Sequence, residues 1–131
     1  MKLQVNPITG VSHDRSVNLN TNSHVELTGL SRMANVKITV VKKLTNKDLI
    51  DRHGKDVKPQ CGLFNVGDEF IVKDLGMPEG FCSWAWADVQ RDVAVLALGG
   101  NFSWIKEKGI GITSCTDGFR PVIFKLERVE E

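Results

Sequence analysis

The sequence predicts an α+β domain: a small four-stranded, mostly antiparallel sheet with one principal helix and short helices, preceded by an N-terminal arm. Three observations predict it. Apolar residues alternate with polar ones in several short runs, one longer segment carries an apolar stripe at helical spacing, and an Asp-Gly turn separates the last two runs. Since 131 residues suffice for one core, we expect an arm or leader over residues 1–33 and a single domain over 34–131.

The first elements of the domain are a strand, a short helix and a second strand. Apolar residues alternate with Lys and Thr in the run 36–43, which predicts a strand. Thr45 is placed to cap a short helix over residues 46–53. A Gly-Asp turn then leads into a second predicted strand over residues 67–73.

The principal helix is predicted over residues 83–98. The start of this segment also alternates as a strand would, at Cys82, Trp84 and Trp86, but the helical pattern covers more residues. Trp84 and Asp88 then share one face of the helix, and a Gly-Gly pair ends it. Four apolar residues at spacings of three, four and three form the predicted buried stripe: Trp86, Val89, Val93 and Leu96.

The C-terminal part is predicted to hold a further short helix and a hairpin. Asn101 or Ser103 is placed to cap a helix over residues 104–108. An Asp-Gly turn then joins two predicted strands, 110–114 and 121–129, because this dipeptide readily adopts the backbone angles of tight hairpin turns.

The second face of the sheet is predicted to be covered, because Val41, Ile71 and Ile123 fall on it. Assembly into a homo-oligomer through this face, or docking of the arm on it, would cover it. The arm over residues 1–33 is rich in Asn, Ser and Thr and has only short alternating pieces. These could pair as edge strands or dock on a neighbouring subunit, or the arm could be a leader, with Met33 as a native start.

Charge and hydropathy patterns disfavour several classes of partner. Seventeen basic residues balance sixteen acidic ones, and no stretch of five or six like charges occurs, so the sequence predicts no nucleic-acid partner and no membrane binding. The N-terminus lacks the apolar stretch of a secretion signal, which predicts a cytoplasmic protein. The three cysteines are widely separated and odd in number, which indicates reduced thiols rather than a disulfide framework.

Cys82 is the first candidate for chemistry, because it lies just before the predicted principal helix. The unpaired amides and the dipole of a helix N-terminus favour an anion, which would make Cys82 a reactive or ligand-binding thiol. The alternative is a packed cysteine among aromatic neighbours. Cys82 and Cys115 could also form a redox pair if the hairpin folds against the start of the helix.

A thiolate-bound metal is a further hypothesis. Cys61, Cys82 and Cys115 could converge on zinc, copper or an iron–sulfur cluster, with Asp117 or His53 as a fourth ligand. The spacing gives this hypothesis little support, because structural metal sites usually take two ligands from one tight turn.

Arg120 is the candidate anchor for a small anionic molecule, since a turn does not require a guanidinium at that position. An internal salt bridge to Asp117 or Asp88 is the alternative. Asp117 is explained by the turn itself, and Trp84 is free to stack on a ligand ring if it lies off the buried stripe. The candidate ligand-binding residues are therefore Cys82, Trp84, Asp88, Cys115, Asp117 and Arg120.

Two segments of the chain resemble those of a known family. The segment 80–88 reads Gly-Phe-Cys-Ser-Trp-Ala-Trp-Ala-Asp, and the segment 115–124 reads Cys-Thr-Asp-Gly-Phe-Arg-Pro-Val-Ile-Phe. Both are similar to segments shared by a family of small uncharacterised proteins common in anaerobic microbes. The resemblance spans residues 34–128 and implies no particular activity; members of that family usually begin near Met33.

Three functions follow as hypotheses. The first is a ligand-binding or accessory module whose pocket lies around Cys82 and the turn Cys115–Arg120. The second is a cysteine-dependent redox or metal-binding protein, for which His53 would be the one imidazole of the domain. The third is a non-catalytic self-assembly or interaction module. No catalytic residue is identified by the sequence.

Overall fold

The computed structural model describes residues 33–129, and these belong to one compact unit. The arm predicted over residues 1–33 lies outside them, apart from Met33. Within the described part the elements follow one another as β1 (Asn35–Lys43), α1 (Lys47–His53), β2 (Glu69–Val72), α2 (Ser83–Ala97), β3 (Ile110–Ser114) and β4 (Val122–Val129). The four strands form one antiparallel sheet in the order β2-β1-β4-β3. The predicted α+β class is confirmed.

The core lies between one face of the sheet and α2. Alternation along β1 and β4 places every second side chain on this face, where those side chains are fully buried. The helix supplies Ala85, Val89, Val93, Leu96 and Ala97. Trp86, predicted on the buried stripe, is half-buried and meets Phe81 edge to face, with ring centroids 6.3 Å apart.

Four phenylalanines fill the end of the core near the start of α2. Phe64 and Phe81 come from irregular segments, Phe70 from β2 and Phe124 from β4. The Phe64 ring centroid lies 5.1 Å from that of Phe81, 5.3 Å from that of Phe124 and 5.8 Å from that of Phe70. The cluster therefore fixes both irregular segments against the sheet, and these segments approach the candidate site.

The prediction of a short helix over residues 104–108 was wrong. Residues 101–109 form turns instead. Asn101 does not cap a helix: its Oδ1 accepts hydrogen bonds from the Gly109 amide at 2.7 Å and from Arg128 Nη2 at 2.9 Å. The side chain thus closes the loop across its two ends, which removes one of the two caps considered for the predicted helix.

Two smaller boundary predictions also differ from the structure. Thr45 does not cap α1, because its hydroxyl donates to the Pro59 carbonyl at 2.6 Å, and Asn46 occupies the cap position. The second strand is shorter than predicted, since Gly67 has a φ of 99°, a left-handed conformation that interrupts the strand before Glu69.

The second sheet face carries polar residues at its centre and apolar ones towards its edges. Lys37 on β1 lies 3.8 Å from Glu69 and 3.8 Å from Glu127 on the flanking strands. Val41 and Ile71 are exposed, and Ile123 is half-buried. The prediction that another subunit or the arm covers this face stays a prediction.

Candidate functional site

A pocket of about 650 Å³ opens where the start of α2 meets the loop between β3 and β4. A third wall comes from the irregular segment that precedes β2. We call this cavity the Trp84 pocket. Its lining residues are Cys61, Leu63, Phe64, Cys82, Trp84, Ala85, Asp88, Cys115, Thr116, Asp117, Gly118, Phe119, Arg120 and Val122.

The loop Cys115–Pro121 is held on both sides, so this wall of the pocket is preformed. On the helix side, Asp88 Oδ2 accepts hydrogen bonds from the Thr116 amide at 2.8 Å and from the Thr116 hydroxyl at 3.0 Å. On the other side, the Asn46 amide donates to the Phe119 carbonyl at 2.8 Å. Asn46 Nδ2 also donates to the Gly118 carbonyl at 2.6 Å.

Asp117 organises the turn from within. Its Oδ1 accepts hydrogen bonds from the amides of Phe119 at 2.9 Å and Arg120 at 3.2 Å, and its Oδ2 accepts one from Arg120 Nε at 3.2 Å. Burial raises the pKa of the Asp117 carboxyl, but these amide and guanidinium hydrogen bonds outweigh burial and lower the pKa below its ordinary value. Asp117 is therefore an ionised, fully engaged side chain that shapes the turn.

Arg120 is engaged on one side only. Its Nε contacts Asp117, which confirms the salt bridge weighed from the sequence. Within residues 33–129 its two terminal nitrogens, Nη1 and Nη2, make no hydrogen bond. Arg120 lines the pocket, so an anion bound there could accept hydrogen bonds from Nη1 and Nη2. These two donors form the fork that suits a carboxylate.

The three cysteines all line the Trp84 pocket and are free, partly buried thiols. Cys82 occupies the N-cap position of α2, as predicted, but its side chain makes no capping hydrogen bond. Cys115 Sγ accepts a hydrogen bond from the Val122 amide at 3.3 Å. Among residues 33–129 no three His, Cys, Asp or Glu side chains are grouped so that they could hold a metal ion. The geometry thus adds no support to the three-cysteine metal site.

Bases for thiol activation are scarce around this pocket. His53 ends α1 and is exposed, and it does not line the pocket. Asp88 and Asp117 do line it, but both carboxylates accept hydrogen bonds from the loop. In the described part of the chain, therefore, no imidazole lines the pocket with Cys82 to act as its general base.

The walls of the pocket are mostly apolar and carry little charge. Trp84 leaves 83% of its surface exposed, and Leu63 leaves 67% exposed, both unusually high for large apolar side chains. With the cysteines counted as thiols, one positive charge at Arg120 and two negative ones at Asp88 and Asp117 give the lining a net charge of −1.

All six candidate ligand-binding residues, together with Cys61, line this single pocket. The sequence reasoning did not name Leu63 and Phe64, which line it as well, and it gave no role to Thr116 and Phe119, although it placed their turn at the pocket. A signal existed for two of them: Leu63 and Phe64 are adjacent apolar residues in an otherwise polar loop, a pattern that indicates an anchor on the core. No local pattern in the sequence pointed to Thr116.

Neither described helix has the length and apolar character needed to cross a bilayer. A scan against protein-family models, a search of curated proteins and a search of solved structures each found no match to this chain. The resemblance carried by segments 80–88 and 115–124 stays a prediction.

Proposed function

We propose that this protein is a cytoplasmic binding module for a small, largely apolar molecule that carries a single anionic group. The observation that carries the proposal is the Trp84 pocket itself: its mostly apolar walls include Arg120, whose terminal nitrogens have no hydrogen bond within residues 33–129. Small-molecule sites combine these two properties, since apolar walls supply affinity and a few polar groups fix orientation.

The charge of the pocket limits the anion to one group. A net charge of −1 on the walls repels nucleotide phosphates and other polyanions more strongly than a single carboxylate or sulfonate, which Arg120 can bind while Asp88 is bonded to Thr116. Trp84 and Leu63 then cover the apolar part of the ligand, which removes their exposed surface from water.

The test uses anilinonaphthalene sulfonate, a fluorescent apolar monoanion, titrated into the full chain. Arg120→Gln removes the proposed anchor, and Arg52→Gln, on the exposed end of α1, removes the same charge outside the pocket. A charge-assisted hydrogen bond at a half-exposed site contributes about 1.5 kcal/mol, so Arg120→Gln should weaken binding roughly tenfold. Equal affinity for the two variants would refute the anchoring role.

Two further variants should change the affinity for the probe in opposite directions. Asp117→Asn removes a negative charge and releases Arg120, so it should strengthen binding of the same probe. Trp84→Ala should weaken it, whereas Trp104→Ala, an equally drastic change at a Trp that is 75% exposed outside the pocket, should leave it unchanged. The opposite signs separate a charge effect from general damage to the fold.

We propose a cysteine-dependent function as the second candidate, because Cys61, Cys82 and Cys115 line one pocket although they are distant in sequence. Alkylation with iodoacetamide followed by peptide mass spectrometry measures the reactivity of each thiol. Faster labelling of Cys82 than of the other two, with protection by the fluorescent monoanion, would support this function. Uniformly slow labelling at all three would rule it out.

A further inference from the structure

A second groove, of about 660 Å³, lies along β3, which is an edge strand of the sheet. It is distinct from the Trp84 pocket and shares no lining residue with it. We call it the edge groove. It is lined by Trp104 and Ile112 and by four charged residues, Lys106, Glu107, Lys108 and Lys125.

The backbone of β3 has an unpaired side that faces away from β4. The Arg128 amide donates to the Gly109 carbonyl and the Cys115 amide donates to the Val122 carbonyl, so odd-numbered residues of β3 point their backbone groups at β4. Ile110, Ile112 and Ser114 therefore direct their N–H and C=O groups outward. Such a row pairs readily with another extended segment.

The wall formed by residues 101–109 is rigidly held. Asn101 closes this loop, and Arg128 Nη1 donates to the Gly100 carbonyl at 2.6 Å and to the Leu96 carbonyl at 3.1 Å. Phe102 packs over Gly111, where an added Cβ would lie 3.0 Å from its ring, and the Trp104 ring lies 5.2 Å from that of Phe102. Trp104 is thus presented to solvent from a preformed loop.

The edge groove carries a net positive charge, which favours an acidic partner. Lys106, Lys108 and Lys125 outnumber Glu107, and within residues 33–129 none of these four forms an ion pair. A second copy of this chain paired edge to edge would bring two positive grooves together, which opposes that arrangement. An acidic partner meets no such repulsion.

We propose that the edge groove binds an extended acidic segment of another protein. In this segment pairs of apolar residues alternate with pairs of Asp or Glu, so that each face of the added strand carries both, as the cross-strand pair Ile112 and Lys125 on one sheet face requires. The segment adds a fifth strand beside β3 through the outward backbone groups of Ile110, Ile112 and Ser114. Its apolar side chains cover Ile112, which is 52% exposed, and Trp104, while its carboxylates contact the lysines. This partner interaction does not depend on ligand binding in the Trp84 pocket.

The experiment titrates a capped peptide of repeating Val-Val-Glu-Glu, which carries Val and Glu on both faces of a strand, into the ¹⁵N-labelled full chain and follows the amide resonances. Saturable shifts centred on Ile110, Ile112 and Ser114 are expected. The same peptide with Lys in place of Glu should bind at least roughly tenfold more weakly, because several lysines then repel it. Equal binding of the two peptides, shifts centred elsewhere, or no saturable shift would overturn the proposal.

Matched variants locate the interaction. Ile112→Glu should abolish saturable binding, whereas Ile71→Glu, an exposed apolar residue on the opposite edge strand, should leave it unchanged. Lys125→Gln, which leaves the strand intact, should weaken binding roughly two- to fivefold, the contribution of one exposed charge pair. Concentration-dependent dimerisation of the free chain that Ile112→Glu abolishes would overturn the proposal in favour of a second copy.

Discussion

Phe64 connects the core to the Trp84 pocket, and its replacement tests how firmly the pocket is built. It lies in an irregular segment yet is only 2% exposed, with three phenylalanine rings around it. Its carbonyl also accepts a hydrogen bond from Lys43 Nζ at 2.7 Å. We expect that this one ring holds the whole wall that carries Cys61 and Leu63.

The expected cost of Phe64→Ala follows from these contacts. Removing the buried ring from the core costs about 2.5 kcal/mol in transfer free energy. The cavity and the lost contacts with three aromatic rings bring the total to about 4 kcal/mol. This is a large share of the roughly 5–15 kcal/mol by which a domain is stable.

Urea unfolding, followed by tryptophan fluorescence, measures this cost. Leu63→Ala is the matched control, because Leu63 is the neighbouring residue and is 67% exposed, so its loss should cost less than about 0.5 kcal/mol. Leu63→Ala should still weaken ligand binding in the pocket. If Phe64→Ala unfolds the chain, Phe64→Leu, expected to cost about 1.5 kcal/mol, replaces it. A loss below about 1 kcal/mol for Phe64→Ala would refute the packing argument.

Three further predictions concern the polar contacts. Thr116→Val removes the hydrogen bond from the hydroxyl to Asp88 but keeps the one from the amide, so the unfolding free energy should fall by about 0.5 kcal/mol. The variant should also bind the probe more weakly, because the loop is held less firmly. Asp117→Asn should destabilise the fold by less than about 1 kcal/mol at pH 7. Because folding lowers the pKa of Asp117, this difference persists down to about pH 5, begins to shrink near the unfolded-state pKa of about 4 and is lost as the pH falls through the lower folded-state pKa, which a pH series of urea curves measures. Arg128→Gln should lower the melting temperature and broaden the amide resonances of residues 101–109, because this guanidinium holds three acceptors around that loop.

Most of the fold could be predicted from periodicity. The alternation in the run 36–43 and the spacing of Val89, Val93 and Leu96 place β1 and α2 within a residue or two of their observed bounds. Both patterns report which side chains must leave water, which is a property of the local sequence. Asn101 does not cap the helix predicted over residues 104–108, because it bonds to Gly109 and Arg128, and Arg128 is distant along the chain.

The sequence predicted individual residues of the candidate site but not how the fold brings them together. Cys82 was singled out by its place just before the helix, Trp84 by its position off the buried stripe, and Arg120 because a turn does not require a guanidinium there. Their shared pocket depends on the strand order, which brings the β3–β4 loop against the start of α2 through Asp88 and Thr116. Strand order is decided by contacts between distant segments, and no local pattern encodes it.

The sequence by itself thus determined the fold class, the buried faces and the short list of residues with chemistry to offer. Only the tertiary structure decided that Asp117 and Asp88 are occupied by the loop while the terminal nitrogens of Arg120 make no hydrogen bond within residues 33–129. The tertiary structure also decided that β3 is an edge strand. The physical reason is that hydrogen-bond partners and free edges are properties of how segments meet in space, whereas burial periodicity is written along the chain.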